Sequence, residues 1–307
     1  MNVTFGPIYS RRFGESLGVD LSPQYKQCNY DCLYCELEGK KAQETMEEIL
    51  SVEEILTSIQ EALSKFKSIE CLTITANGEP TLYPHLYELM LRLEDIKGAA
   101  KTLLLTNGAL LWDLNVSRAC LLFDKVKFSL DAVTPEVFKK IDRPHSTINL
   151  EQILRGIYEF RQDFRGELYA EILFVKGVND DLKEIEKMAK FLFPLFVTRL
   201  DIGTIDRPPA YKVQKVSQEA LKEFQALFQK HGIRTNLPTR ETTKSQENLT
   251  LNEEEILKTL ALRPMSQEDI KALWDSNTQE ILRRLCKEQK VIENKINGVD
   301  FYQLTKK

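Results

Sequence analysis

Short runs of crowded or alternating aliphatic residues are separated along this chain by longer stretches whose apolar residues recur every three or four positions. The first pattern predicts strands and the second amphipathic helices. Strand-like runs fall at SLGVDLS (16–22), CLTITA (71–76), KTLLLT (101–106), KVKFSLD (125–131), LYAEILFV (168–175) and RLDIGTI (199–205). Helical periodicity occupies roughly 51–66, 84–96, 113–121, 149–163, 181–193 and 217–230. Such alternation predicts a parallel sheet with right-handed crossovers, either open or curled into a barrel. In these folds ligands bind at the carboxyl ends of the strands. The loops at those ends hold the unusual residues: a tight set of cysteines, NGEP, TNG, the end of SLDA, KGVND and DRPP.

The pattern changes after Leu237. Residues 238–250, PTRETTKSQENLT, have no aliphatic residue before Leu249 and read as a linker. Three short amphipathic helices follow, at about 252–261, 266–274 and 277–289. KVIENKINGVDFYQLT then reads as two strands, with Asn297-Gly298 at the favoured hairpin turn. Three helices and a hairpin predict a winged helix-turn-helix, with Ile281, Leu282 and Leu285 facing its core. The expected organisation is therefore an α/β core over 1–237, a linker over 238–250 and a winged-helix-like domain over 251–307. A length of 307 residues suits two domains of ordinary size.

Composition narrows the function classes. A hydrophobic fraction of 42% and a charged fraction of 29% exclude a disordered or low-complexity chain. No apolar run approaches the roughly 18 residues of a membrane span, and the first residues lack the apolar stretch of a secretory signal. A cytoplasmic protein with no membrane partner is expected. The 42 basic and 46 acidic residues leave a net charge of -4, so no global field attracts nucleic acid. From Thr250 onward ten basic residues meet ten acidic ones, a poor balance for a DNA-binding module.

Of six cysteines, Cys28, Cys32 and Cys35 lie within eight residues, while Cys71, Cys120 and Cys286 are scattered and read as small buried hydrophobes. In a reducing compartment a tight cluster signals a metal or cluster site and not a disulfide framework. Structural zinc needs four ligands, usually in two separated pairs. None of His85, His145, His231 or the other cysteines supplies the missing pair. A [4Fe–4S] cluster normally takes four cysteines. Three leave one iron open, and an open position is what separates a catalytic metal site from a structural one.

The spacing C-x3-C-x2-C, with Tyr34 before the last cysteine, resembles the signature of the radical S-adenosylmethionine superfamily. Further motifs agree in chain order: NGEP (Asn77, Gly78, Glu79, Pro80), TNG with Asn107, SLDA with Ser129 and Asp131, and KGVNDD. The resemblance covers about residues 5–236. It implies a curled, partial (β/α)6 TIM-like barrel with a [4Fe–4S] cluster on Cys28, Cys32 and Cys35. It also implies S-adenosylmethionine on the open iron, cleaved to a 5′-deoxyadenosyl radical that takes hydrogen from a substrate. An electron donor such as flavodoxin or ferredoxin is the implied partner. The cofactor-binding candidates are Tyr34, Asn77, Gly78, Glu79, Pro80, Asn107, Ser129 and Asp131, with Asp131 and His145 as catalytic candidates. Residue chemistry allows these roles: Gly78 admits close backbone approach, Glu79 can accept from an ammonium, and Ser129 and Asn107 can bond ribose hydroxyls. Each also has a plainer reading. NGEP makes turns anywhere, and Thr134-Pro135 after Asp131 can simply cap and start a helix.

GPIYSRRFGESLGVD, DRPHSTINLEQILRGIYEF and DIGTIDRPPA look like a narrower group of bacterial and archaeal members that is likened to wyosine-forming tRNA enzymes. The likeness to true wyosine synthases stops short. Theirs is a Trp-Arg-His stretch after the last cluster cysteine, where Glu-Leu-Glu follows Cys35 here, and their second cysteine cluster is missing. Arg11, Arg12, Arg143, His145 and Arg207 gather near strand ends, and arginine forks suit an anionic substrate. Arg283 and Arg284 on the third C-terminal helix are further substrate candidates. Three readings follow. The first is an enzyme acting on a nucleotide-containing or RNA substrate. The second is a peptide- or protein-modifying enzyme whose winged helix holds the target, and the third an iron–sulfur regulator that binds DNA.

Overall fold

The structure is a computed structural model and describes residues 3–10, 14–66, 68–237, 250–262, 264–296 and 299–305. One sheet runs β1 (Thr4–Ser10), β2 (Gly14–Asp20), β3 (Cys71–Thr75), β4 (Lys101–Thr106), β5 (Lys125–Ser129), β6 (Glu167–Phe174), β7 (Arg199–Thr204) and β8 (Thr235–Asn236), each beside the next. The last seven are parallel and β1 is antiparallel to β2. The crossovers carry helices α1 (Val52–Lys65), α2 (Leu86–Leu93), α3 (Leu114–Cys120), α4 (Pro135–Ile141), α5 (Leu150–Asp163), α6 (Leu182–Leu192) and α7 (Gln218–Lys230). This is the expected partial TIM-like barrel, with β1 and β8 at its two edges. Local caps start the helices. Ser51 and Glu54 form a capping box on α1, and Asp113, Asn149, Asp181 and Ser217 cap α3, α5, α6 and α7 through their side chains.

Three elements lie outside the six expected strands and six helices. Strand β1 uses the opening TFGPIYS, whose register breaks between Phe5 and Ile8 around a proline that an edge strand tolerates. Strand β8 is only two residues long. Helix α4 begins at Thr134-Pro135 as the plainer reading allowed, yet Thr134 makes no cap bond to its own helix. Glu184 of α6 instead accepts from Val133 N, Thr134 N and the Thr134 hydroxyl.

Alternation on the central strands separates two environments. Val126, Phe128, Ala170, Ile172, Leu200 and Ile202 are buried in the apolar core with the helices. The opposite face is charged, which is unusual for a parallel sheet covered on both sides. Lys127 reaches Glu171 at 2.5 Å and Asp201 at 3.7 Å, and Arg199 pairs with Asp201 at 2.9 Å. The barrel interior is therefore a polar lumen.

The C-terminal segment has its own core around Leu260, Ile270, Trp274, Leu282 and Leu285, with Ile281 packed against it. Its elements are α8 (Glu253–Leu262), β9 (Met265–Ser266), α9 (Gln267–Leu273), α10 (Ser276–Lys287), β10 (Val291–Ile296) and β11 (Val299–Leu304), with strand order β10-β11-β9. The helices and hairpin strands fall where the periodicity predicted them. The expected Asn297-Gly298 turn, most of the 238–250 linker, and Arg11 and Arg12 lie outside the described residues. Among the described residues no helix is long and apolar enough to cross a membrane.

Candidate cofactor and catalytic site

The long loop between β2 and α1 carries all three clustered cysteines, and its neighbours fix it on every side. Gln27, fully buried, accepts from Glu47 N and Glu48 N and donates to the Ser22 hydroxyl and the Glu48 carbonyl, so one amide closes the loop on itself. The NGEP segment docks edgewise on the same residue: Gln27 N donates to Asn77 O at 2.8 Å and Glu79 N to Gln27 O at 2.9 Å. Gly78, between them, has φ +134°. A Cβ there would stand 1.9 Å from the Gln27 carbonyl oxygen, so only glycine admits this approach. After α4, the Asp142 carbonyl accepts from Asp31 N, the Ile141 carbonyl from Leu33 N, and His145 N donates to Asn29 O.

Glu79 is 1% exposed, and its carboxylate is in full use within the protein. Oε1 accepts from Thr81 N, the Thr81 hydroxyl and the Thr106 hydroxyl, and Oε2 accepts from Asn107 N at 2.7 Å. Burial pushes this carboxyl up, and the four donors oppose that shift. The side chain is thus a brace between the NGEP and TNG loops, leaving the backbone of 77–80 to face the cluster loop. Glu79→Gln replaces one acceptor oxygen with a donor. It is expected to cost about 2 kcal/mol of stability, as lost hydrogen bonds to a buried charge do, and to lower the melting temperature of the apo chain measurably. An unchanged melting temperature would remove the brace.

The remaining candidates meet at the same strand ends. Asn107 donates from Nδ2 to Asn29 Oδ1 at 2.7 Å and stands 3.9 Å from Cys28 Sγ. Ser129, Asn107, Asp131 and Tyr30 line one small cavity whose apolar wall is Phe138, Leu150 and Ile153. Tyr34 donates its hydroxyl to Asp131, whose other oxygen accepts from Leu173 N at 2.8 Å. Burial pushes the Asp131 carboxyl up. Asp131 is thereby a strut from the cluster loop to β6. The His145 ring turns to the Thr147 hydroxyl at 2.8 Å.

Of the arginines named as substrate candidates, Arg143 and Arg207 are engaged with the cluster loop itself. Arg143, at φ 46°, pairs with buried Asp31 at 3.3 Å and lies 4.4 Å over the Tyr211 ring, whose hydroxyl also reaches Asp31. Arg207 pairs with Glu36 at 2.7 Å, and Ala210 N donates to Cys35 O. The segment after β7 therefore straps the loop down. On α10, Arg284 pairs with Glu253 at 2.7 Å, while Arg283 is exposed.

Cys28, Cys32 and Cys35 are half-buried free thiols. Burial, then the Glu79 charge, pushes Cys28 up to about 12, and burial followed by Asp142 pushes Cys32 up. Among the described residues no three His, Cys, Asp or Glu side chains converge on a single-ion site. Three separate sulfurs with no histidine suit a cubane, which gives each thiolate its own iron and supplies the positive charge that buried thiolates need. The Asn29 amide nitrogen, fully buried in the same loop with no acceptor, adds an unspent donor. The residues present fit an iron–sulfur cluster. The lumen charges Lys127, Glu171, Arg199 and Asp201 were not singled out from the sequence. Their signal was the alternation K-x-K, E-x-Y-x-E and R-x-D on strands that a parallel fold should keep apolar.

A partial parallel barrel with three cysteines in its first long loop, beneath a glycine-docked turn, defines an iron–sulfur enzyme of the barrel type. The chain belongs to the Radical SAM superfamily, which residues 23–192 match. It is 42% identical over 301 residues to a "UPF0026 protein" of Helicobacter pylori, covering 98% of this chain and 97% of that one. Over 50% of this chain and 47% of the other, it is 27% identical to the GTP 3′,8-cyclase of Nostoc. Among solved structures, SuiB of Streptococcus suis bound to S-adenosylmethionine superposes with a TM-score of 0.55 at 14% identity, over 73% of this chain and 51% of that one. The present chain thus spans about half of that protein. It is a radical S-adenosylmethionine enzyme, and its cofactors are a [4Fe–4S] cluster and S-adenosylmethionine.

Proposed function

We propose that this enzyme cleaves S-adenosylmethionine reductively and takes hydrogen from a nucleotide-containing substrate, free or within RNA, held in the lumen. The observation that carries this reading is the charged face of β5, β6 and β7. Lys127, Glu171, Asp201 and Arg199 present both donors and acceptors directly below Ser129, in a register that sets Ser129 beside Glu171. Such a surface, its charges paired among themselves, suits a heteroatom-rich ring and its phosphates, which can exchange hydrogen bonds with both donors and acceptors. The partial likeness to a cyclase that acts on GTP supports the same substrate class.

In this reading Cys28, Cys32 and Cys35 hold the cluster. The backbone of Asn77, Gly78, Glu79 and Pro80 receives the methionine end of the cofactor, and Asn107 and Ser129 receive its ribose. Tyr34 and Asp131 keep the loop at the strand ends. Cluster and S-adenosylmethionine together supply one-electron cleavage and a carbon radical, and the electron comes from a reductant such as flavodoxin or ferredoxin. We read residues 251–307 as a winged helix that contacts substrate. The partners Arg284 and Lys290 already have, Glu253 and Glu288, weigh against a DNA-binding regulator.

Two measurements test the reading. Anaerobically reconstituted, dithionite-reduced protein should form 5′-deoxyadenosine slowly without substrate, and its complete absence would overturn the activity. Mass spectrometry of cells with and without the protein should reveal a modified nucleotide or RNA. A change confined to peptides would overturn the substrate class and leave the radical activity standing.

A further inference from the structure

Gly203, the fifth residue of β7, has no structural reason to be glycine. Each of the other described glycines either has a positive φ or would set a Cβ under 3.0 Å from a neighbour. Gly18, for example, would meet the Phe5 ring at 2.2 Å, and Gly156 the Trp112 backbone at 2.5 Å. Gly203 has neither constraint. Its φ lies outside the left-handed region, and a Cβ there would meet no atom beyond its chain neighbours within 4 Å. The pairing of β7 with β6 runs unbroken from Arg199 to Thr204, so no bulge calls for it either. Glycine inside a strand weakens the strand. Where no bulge, bend or packed backbone requires it, the residue marks the close approach of a ligand.

Alternation fixes which way this bare position faces. Leu200 and Ile202 are buried in the apolar core, so Arg199, Asp201 and Gly203 face the lumen. Register then gives Gly203 its surroundings. Half-buried Leu173 stands beside it, and Glu171 stands beside Asp201 one layer deeper, where Lys127 reaches both carboxylates. Leu173 N donates to Asp131 at 2.8 Å, and Asp131 also receives the Tyr34 hydroxyl, which ties this layer to the residue before Cys35. On the other side β8 ends at Asn236, paired with Asp201, so among the described residues no strand flanks Gly203 there. A bare peptide face and an aliphatic side chain thus lie at the level of the cluster loop, above a layer of mixed charge. That combination selects a flat ring with a polar edge. A nucleobase has a face that stacks and an edge that both donates and accepts.

We propose that Gly203 is a specificity-determining position: the flat face of the substrate's base lies against it, with the polar edge of the base turned toward Lys127, Glu171 and Asp201. The missing side chain is what gives the ring its room. This rests on reading the lumen as a nucleotide site, and adds which part of the substrate the lumen holds.

The test uses the full chain, reconstituted anaerobically and reduced, with S-adenosylmethionine. The probe is the pooled nucleotides and RNA of cells that lack the protein, in which unmodified substrate accumulates. Adding this fraction should raise 5′-deoxyadenosine formation by the wild type. Gly203→Leu is expected to keep wild-type iron content and S-adenosylmethionine affinity and to lose that rise. Gly203→Ala should melt no lower than the wild type, because its Cβ meets nothing and a strand glycine is entropically costly, and should show a smaller rise. A full rise in Gly203→Leu overturns the proposal. So does a loss of S-adenosylmethionine affinity in that variant, which would give the space to the cofactor's own adenine, and so does a marked fall in the melting temperature of Gly203→Ala. If the leucine variant does not fold, Gly203→Val takes its place with the same expected loss, and a full rise there overturns the proposal equally. A wild type that responds only to the peptide fraction of the same cells, or to neither, would instead defeat the nucleotide reading on which this inference stands.

Discussion

Replacing Cys28, Cys32 and Cys35 together by alanine is expected to reduce the iron of the reconstituted protein from about four atoms per chain to nearly none. The reason is local. The three thiols belong to one loop that is held by Gln27, by NGEP and by the turn after α4, and no histidine enters it. Cys71 sits on β3 with its thiol near the Thr73 hydroxyl, Cys120 is fully buried on α3 within the apolar core, and Cys286 packs against the separate C-terminal core. Alanine at those three positions should leave iron and sulfide content unchanged and cost little stability, as small buried cysteines do. Iron and acid-labile sulfide analysis of both triple variants is the measurement. A cluster that survives in the first, or fails in the second, would require a different set of ligands.

Gly78→Ala is expected to be the most damaging single substitution in the NGEP loop. Its Cβ would stand 1.9 Å from the Gln27 carbonyl oxygen and 2.4 Å from the carbonyl carbon, both backbone atoms that cannot rotate away. At φ +134° the backbone is also outside the range that alanine tolerates. The two segments must therefore separate, breaking the bonds from Gln27 N to Asn77 O and from Glu79 N to Gln27 O. Two lost buried backbone bonds and the strain together should cost about 3–5 kcal/mol. Because Cys28 follows Gln27 directly, the cluster loop shifts with it. Thermal unfolding of the apo chain should fall by many degrees, and the reconstituted protein should lose S-adenosylmethionine binding before it loses iron. A variant that unfolds at the wild-type temperature would show that the loops do not dock as described.

Much of this architecture is local and was readable along the chain. The strands from β2 to β7, six of the helices and the C-terminal helices and hairpin follow from periodicity and caps, because burial of one face repeats at a fixed interval wherever the element packs. The C-x3-C-x2-C loop was equally legible, since its three cysteines are neighbours in sequence and belong to one loop. Edge strand β1 escaped because a Gly-Pro pair reads as a turn and its pairing partner, β2, is needed to see it as a strand. The protein contacts of Glu79 were not legible either: only the fold brings Thr106 and Asn107, on another loop, within reach of its carboxylate.

The remaining differences arise from contacts far apart in sequence. Arg143 and Arg207 read as anion binders, yet each finds a carboxylate of the cluster loop, 112 and 171 residues away. Lys127, Glu171 and Asp201 face one lumen because β5, β6 and β7 stand side by side in a particular register, and a slip by one residue would send them into the apolar layer. Periodicity and motif spacing thus determined the elements and the cysteine loop, because hydrophobic burial and short loops act within a few residues, and the chemistry that loop serves followed from its resemblance to a known superfamily. Only the tertiary structure decided which charges meet, because pairing depends on register and on how crossovers bring strand ends together, and those are properties of the whole sheet.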